Sequence, residues 1–464
     1  MIALVRQHRR FFLVVTLLAI VLRLVFIIKF PVTDGDTLIY GDIAKNWLDH
    51  HMFATTVNGE PEPTLIRLPG YPGLLAICFR LFGREHYNAV RFVQLIMDLA
   101  ACFLVADLAR RLTSERAGRA AFVLAAVCPF TANYVALPLA ETPSIFLTTL
   151  AFWFAVRGLD SGRLREWIGC GIAMAGGILM RPDNGLVLVI VCGFVAIRAV
   201  VSFKPAVSNQ RSAIERAAIA IALVCVFALA PLVPWTIRNW RVFHVFQPLA
   251  ARYANNPDED PHLGFQQWTK TWMAEYVSVV EIYWHVTGEE VDTNLLPSRA
   301  FDTPDERQKT VELFDAYNET KSLPPESDEQ FAELARERRH RKPLRYYVWL
   351  PAARIADMWL RPRTEMLGIM ERWWEYHTDP VDFSKALAYG LLNLAYVLLA
   401  LWGVVNRSRV RYAGMLIGFL LVRSLFLGTL ENPEPRYTLE MFPVLFIFGA
   451  AALTAPNKTK APQR

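Results

Sequence analysis

The chain has 464 residues, 54% of them hydrophobic, with a mean hydropathy of +0.25, a formal net charge of +6 and a pI near 9.0. A soluble protein of this length would carry more charge and fewer Leu/Val/Ile/Phe blocks, so the composition excludes an ordinary cytosolic enzyme and points to an all-α polytopic membrane protein. The basic residues are scattered over many loops and not gathered in one patch, which excludes nucleic acid as a partner.

The first block, Phe11–Phe30, follows "RQHRR" and lacks a small-residue cleavage site, so it reads as a retained helix. Further blocks are Tyr87–Ala109, Ala117–Val135, Leu137–Val156, Trp167–Met180, Gly185–Val201 and Ala217–Trp235. Ser384–Val405, Tyr412–Leu430 and Glu440–Ala455 complete about ten expected spans (range 9–13), with Trp167–Met180 short for a crossing. Arg6, Arg9, Arg10, Arg110, Arg111, Arg116, Arg119, Arg157, Arg163, Arg165, Lys204, Arg211, Arg216, Arg407, Arg409, Arg411 and the "NKTKAPQR" tail fall on one side of that alternation. The positive-inside rule makes that side cytoplasmic, together with both termini, in an inner membrane.

Two stretches on the outer side are long enough to do chemistry. Residues 31–86 carry "PVTDGDTLIYGDIAKNW", in which Ile39, Ile43 and Trp47 form an apolar stripe, with Asp42, Lys45 and Asn46 on a solvated face. "RLPGYPGLLAICFRLFG" then opens a second short apolar helix at Pro69 and Pro72 and stops it at Gly83. Residues 238–383 form the one large insertion, a small helical cap ending in the aromatic-rich "PLRYYVWLPAARIADMWL". The expected organisation is a transmembrane module over 1–237 with a catalytic first outer loop, that extracytoplasmic insertion, and C-terminal transmembrane helices with a cytoplasmic tail over 384–464.

Chemistry-bearing residues collect at the outer boundary. Asp34, Asp36 and Asp42 follow the first span, and Glu141 in "LPLAETPSIF" stands at the outer end of another. A helix-start aspartate ordinarily caps free N–H groups, but acids at a membrane edge are costly and mark function or a metal. Arg67, Arg181, Arg238 and Arg436 lie on the same side, where arginine is scarce; snorkelling is the plain reading, and a site for a lipid phosphate the sharper one. The scattered histidines His244, His262, His285, His340 and His377 and the six cysteines, all within apolar segments, suggest neither a metal set nor a disulfide framework. No GxSxG, HExxH or P-loop pattern occurs, which removes serine hydrolase, zincin and ATP-driven chemistry.

In order and spacing these elements resemble the polytopic GT-C glycosyltransferases, in particular bacterial proteins similar to dolichyl-phosphate-mannose protein mannosyltransferases and the lipid A aminoarabinose transferase. An acid after the first span trailed by xxxY and xxxA is matched by Asp36, Tyr40 and Ala44; a basic Pro-x-Tyr-Pro element by Arg67 and Tyr71 in "RLPGYP". "PWTIRNW", with Arg238 and Asn239, and a downstream "NNP" match a further pair, and Arg436, Tyr437 and Pro443 match the element opening the last span. Thr37 replaces the second acid common in the family, leaving Asp34 as its alternative and the choice of base between Asp34 and Asp36 open.

The resemblance implies an inverting transfer of a hexose or pentose from a polyprenyl-phosphate donor to an envelope glycan, lipid or protein acceptor. It implies Asp36 as base and Glu141 as a second acid, with a divalent metal, if one is used, at Asp36 and Glu141. Arg67, Arg181, Arg238, Arg436, Asp34, Tyr40, Tyr71, Asn239 and Tyr437 are the implied substrate contacts. A lipid-linked sugar flippase and an O-antigen-ligase-like enzyme are the rival readings; the former predicts charges inside the bundle, for which Arg23, Asp98, Asp107 and Arg423 are the candidates.

Overall fold

The computed structural model describes residues 1–201, 211–375, 379–406 and 410–454; Lys204, His377, Arg407, Arg409 and the 457–464 tail lie outside the described residues. The chain divides into two compact units, one of Met1–Pro257, Tyr396–Leu420 and the chain from Leu439, the other of Asp258–Ala395 and Leu421–Thr438.

After a short helical turn over Ile2–Gln7, the first unit runs through α1 (Arg9–Lys29) and α2 (Asp36–Asp49), then a hairpin of β1 (Ala54–Val57) and β2 (Glu60–Pro63). There follow α3 (Gly70–Phe82), α4 (Tyr87–Leu112), α5 (Glu115–Ala126), α6 (Glu141–Ser161), α7 (Leu164–Met180), α8 (Gly185–Val201), α9 (Arg211–Leu229) and α10 (Leu232–Phe243). The second unit holds α11 (Leu263–Lys270), α12 (Pro304–Thr320), α13 (Pro325–Arg341) and α14 (Leu350–Leu360). α15 (Pro380–Val405) and α16 (Ala413–Gly428) each divide between the units, and α17 (Phe442–Leu453) returns to the first.

Among the described residues seven helices are long and apolar enough to cross a membrane, or eight if one bent pair counts as a span, against the ten expected. The difference has three local causes. α16, at 16 residues, rises only about 24 Å, short of a ~30 Å hydrocarbon core. α7, at 17 residues, opens with Arg165 and Glu166 and is equally short. The expected span Ala117–Val135 breaks: α5 stops at Ala126, and Pro129–Ala136 continues at 52°. Pro129 causes the break, since it supplies no N–H and disfavours helical geometry at Cys128, which is extended (φ −69°, ψ 114°).

A helix break inside an apolar bundle leaves carbonyls to be satisfied. Arg23 of α1 does this for α5: Nη2 donates to the Ala125 carbonyl (3.2 Å), Nη1 to that of Ala126, and Nε pairs with Asp98 of α4 (2.7 Å). Arg23 is fully buried and the Asp98 side chain 3% exposed. Asp107, further along α4, takes Arg110 (2.7 Å), Arg111 (2.8 Å) and the Trp153 indole (2.8 Å).

The second unit has its own core, in which Phe265, Trp268 and Trp272 pack against Phe314, Tyr317 and Phe331 from α12 and α13. Charge ties its polar side together, with buried Arg338 pairing Glu306 (2.6 Å) and Arg345 pairing Asp302 (2.6 and 2.9 Å). Asp357 of α14 accepts the Tyr276 backbone N–H (3.0 Å). Burial, only partly offset by Arg361, raises its carboxyl to about 6. A carboxyl raised on folding binds its proton more tightly in the native state, so stability falls as pH rises from about 4 to about 6 and is flat above. The expected loss across that window is on the order of 1–3 kcal/mol. Thermal midpoints of the full chain measured from pH 4 to 7 should show the slope in the native sequence and its absence in Asp357→Asn.

Candidate active site

Asp36 is the first residue of α2 and enters through Gly35, whose backbone (φ +49°, ψ −124°) suits glycine and few other residues. The helix is wedged into protein on two sides. Ile43 packs with Phe53, Leu65, Leu68 and Trp235, while Ala44 packs with Tyr71, Leu75 and Val90. Two residues of its polar face are engaged by protein. Asp42 accepts from Thr56 N (2.6 Å) and Oγ1 (2.8 Å), and buried Asn46 donates to the Ala54 carbonyl (3.1 Å), so both hold the hairpin that the sequence reading did not anticipate.

The hairpin returns the chain to Arg67, whose Nη2 donates to Asp36 Oδ1 (2.6 Å) while its guanidinium lies over the Tyr40 ring (5.7 Å). Tyr40 meets Tyr71 edge-on (5.0 Å), and the Tyr71 hydroxyl donates to Gln94 Oε1 (2.8 Å). A side chain at Gly70 would collide with the Leu179 carbonyl, so glycine there lets α3 approach the end of α7, after which Arg181 follows. Arg181 Nη1 donates to Glu141 Oε1 (2.9 Å), and its Nε lies 3.3 Å from Asp183 and 3.5 Å from Glu440. Glu141 opens α6, as Asp36 opens α2, where the helix dipole favours a carboxylate.

Tyr40 lies in the field of both arginine–carboxylate pairs. Burial raises its hydroxyl pKa; Arg67 and Arg181 oppose that shift, and Asp36 and Glu141 add to it. The Asp36 side chain is 29% exposed and that of Glu141 4%, so the two acids differ in access as well as position.

Two residues that the sequence reading passed over set the frame. Arg91 of α4 donates to the carbonyls of Val32 (2.9 Å) and Ala136 (2.8 Å) and to Thr33 Oγ1 (2.5 Å), gripping at once the segments that lead into Asp36 and Glu141. Gln94, one turn on, donates to the Leu137 carbonyl (2.6 Å). With Asp98 they form a polar stripe at i, i+3 and i+7 of an apolar helix, a spacing readable in the sequence. Arg91→Ala should raise backbone amide exchange in 31–37 and 133–141 by about tenfold or more, the worth of a charged hydrogen bond, with the hairpin unchanged.

The remaining expected contacts are placed differently. Asp34 is exposed in the loop before α2. Arg238 and Asn239 lie on α10, which runs past the expected end of its span at Trp235. Arg238 donates to the carbonyls of Thr64 (2.7 Å) and Phe53 (2.7 Å) beneath the rings of Phe53, Trp235 and Phe243, and Asn239 to that of Gln247 (2.8 Å). Arg436 and Tyr437 belong to the second unit, where both engage Glu434 (2.6 and 2.5 Å). Two apolar cavities flank Trp47: one of about 540 Å³ against Gly70, Leu74, Ile77 and Met180, the other of about 520 Å³ against Phe53, Trp235 and Arg238.

Among the described residues no three His, Cys, Asp or Glu are arranged to hold a metal. Asp36 and Glu141 each direct an oxygen at an arginine, Arg67 and Arg181 respectively.

Residues 63–235 match the family model of the dolichyl-phosphate-mannose-protein mannosyltransferases, a stretch that holds Arg67, Tyr71, Glu141 and Arg181 but begins after Asp36. The structure is similar to the archaeal oligosaccharyltransferase AglB from Archaeoglobus fulgidus, solved with an inhibitory peptide and a dolichol-phosphate. The two share 12% identity over 96% of this chain and 50% of that one, with a TM-score of 0.52. This is the GT-C fold. An Archaeoglobus fulgidus oligosaccharyltransferase tethered to an acceptor peptide with the NVT sequon aligns with a TM-score of 0.52, at 12% identity over 96% of this chain and 49% of that one. ArnT from Cupriavidus metallidurans bound to undecaprenyl phosphate aligns over 95% of this chain and 77% of that one, at 13% identity and a TM-score of 0.40. The chain thus carries the GT-C fold in about half the length of the archaeal enzyme. No curated protein matches it in sequence.

Proposed function

We propose that the protein is an inverting glycosyltransferase that moves a hexose or pentose from a polyprenyl-phosphate donor to an acceptor outside the cytoplasmic membrane. The observation that carries this reading is the presence of two arginine-held carboxylates, Asp36–Arg67 and Glu141–Arg181, each opening a helix and both acting electrostatically on Tyr40. The family match over 63–235 supports the transferase class, and the archaeal enzyme of the same fold was solved with a dolichol-phosphate.

In this proposal the acceptor oxygen attacks the anomeric carbon, its proton passes to the Asp36 carboxylate, and the bond to the lipid phosphate breaks. The polyprenyl phosphate departs with the bonding pair. Arg67 and Arg238 receive its charge in a water-poor setting where such contacts are strong. Arg238 suits this part because among the described residues it faces carbonyls and rings and no carboxylate, at the wall of an apolar cavity beside Trp47. Glu141, Arg181, Tyr40 and Tyr71 orient sugar or acceptor hydroxyls. No step is routed through a metal. The basic residues of the alternate loops support an extracytoplasmic site with both termini inside.

Mass analysis of envelope glycans from cells with and without the protein tests the proposal. Loss of a sugar substituent is the expected result. Unchanged glycans with altered sidedness of polyprenyl phosphate would overturn it in favour of a flippase.

A further inference from the structure

The second unit displays a surface that the proposed reaction does not use. Between α13 and α14 the chain makes a wide π turn over Arg345–Trp349. Leu344, Tyr347, Val348 and Trp349 are 70%, 64%, 50% and 68% exposed there, a run of large apolar side chains turned away from the unit's core. Single exposed apolar residues need no explanation, but contiguous ones mark an interaction surface.

The flanking charge is one-sided. Arg338, Arg339, Arg341, Lys342 and Arg345 close α13 and enter the turn, and the carboxylates that pair them are Asp302, Glu306 and Glu337. Among the described residues five cations therefore meet three carboxylates. Among them Arg339, set over the Tyr346 ring (6.0 Å), has no carboxylate partner, and Lys342 is 51% exposed beside a single pair.

The helix that follows fixes where the turn lies. α14 packs along the outer part of α16: Trp359 Nε1 donates to Ser424 Oγ (3.0 Å), and Arg354 Nη1 to the Gly428 carbonyl (3.4 Å). Asn393 of the spanning helix α15 donates to the Trp359 carbonyl (2.7 Å). Ser424 lies one turn before Gly428, and the α14 partner moves from Trp359 back to Arg354 over the same interval. Followed toward its start, α14 thus passes the end of the short helix α16. The exposed turn lies beyond that end, where its apolar and basic side chains suit the boundary between hydrocarbon core and headgroups.

We propose that the Leu344–Trp349 turn is a lipid-surface anchor, its four apolar side chains entering the interfacial layer while Arg339 and Lys342 engage the phosphates of anionic lipids. Aromatic side chains favour that layer, and basic residues beside them add attraction to anionic headgroups. The anchor stands independently of the transferase reading, since it uses none of the residues of the proposed site.

The test uses the full chain with Val348→Cys carrying an environment-sensitive dye, reconstituted in nanodiscs of phosphatidylcholine with or without phosphatidylglycerol, and the unsubstituted chain as the labelling control. The expected result is quenching by lipids that bear a nitroxide just below the headgroup, about twofold or more stronger with phosphatidylglycerol, and shielding from aqueous iodide. Arg339→Glu with Lys342→Glu should abolish that difference while the Asp302–Arg345 pair keeps the turn in place. Iodide access in both lipid compositions would overturn the proposal. Equal lipid quenching in both would remove its anionic selectivity and overturn it as stated. Shielding without lipid quenching would assign the surface to a protein, such as a second copy of this chain, and overturn it as well.

Discussion

Replacing Asp36 by asparagine is expected to lower sugar transfer by about 10²–10⁴-fold, the usual worth of a general base, with expression and membrane insertion unchanged. The substitution preserves size and leaves an oxygen for Arg67 Nη2, now 2.6 Å from the carboxylate. What it removes is the capacity to accept a proton. A partly exposed arginine–carboxylate pair contributes little to stability, so the loss should be catalytic and not structural. Asp34→Asn is the control, because Asp34 is exposed two residues earlier. The measurement is transfer in membrane vesicles containing the native donor pool. Full transfer by Asp36→Asn with loss in Asp34→Asn would move the role to Asp34, and retention in both would falsify a base in this loop.

The largest stability effect is expected at Arg23. Arg23→Leu strands Asp98 in the bundle and leaves the Ala125 and Ala126 carbonyls unmet, at a cost of about 3–5 kcal/mol. Adding Asp98→Leu removes the stranded charge, so the double variant should regain part of that loss. It should not regain all of it, because the two carbonyls at the end of α5 remain without their donor. Unfolding midpoints of the purified chain in one detergent should therefore rank native, double and single variants in descending order. Equal midpoints for native and single variants would show that the pair contributes nothing.

The ion pair also bears on what could be read from the sequence. Arg23 and Asp98 were visible as charges within apolar helices, which by itself suits a transporter; the structure pairs them and turns Arg23 onto a helix end, a structural use that hydropathy does not distinguish. The polytopic helical architecture was legible because long apolar blocks dominate the chain, and the likeness to GT-C enzymes because Asp36, "RLPGYP" and "PWTIRNW" follow one another in that order. The ten expected spans became seven or eight because hydropathy averages across Pro129 and across helices a few residues too short. Tyr40 and Arg67 were legible as residues, but their juxtaposition depends on a hairpin whose Asn58–Gly59 turn, with φ of 51° and 89°, was a readable signal in "VNGE". Asp42 read as a solvated acid because the partner that claims it, Thr56, lies on that hairpin. The polar stripe of Arg91 and Gln94 was readable in the sequence, but its targets were not, because they are the backbone carbonyls of Val32, Ala136 and Leu137.

The interruption after α5 carries a consequence for anyone who would make this protein more robust. Arg23, Arg91 and Gln94 supply the donors that an unbroken helix would have furnished to itself. Consensus-free stabilisation schemes commonly begin by exchanging polar side chains in a bundle for leucine, and these three would score as the first improvements. Each exchange would raise the apolar content of a span and weaken the assembled protein. Detergent-stable variants should be sought on the lipid-facing surfaces of α1 and α15, where Leu17, Leu18, Leu398 and Leu401 are more than half exposed, with the buried polar stripe left untouched.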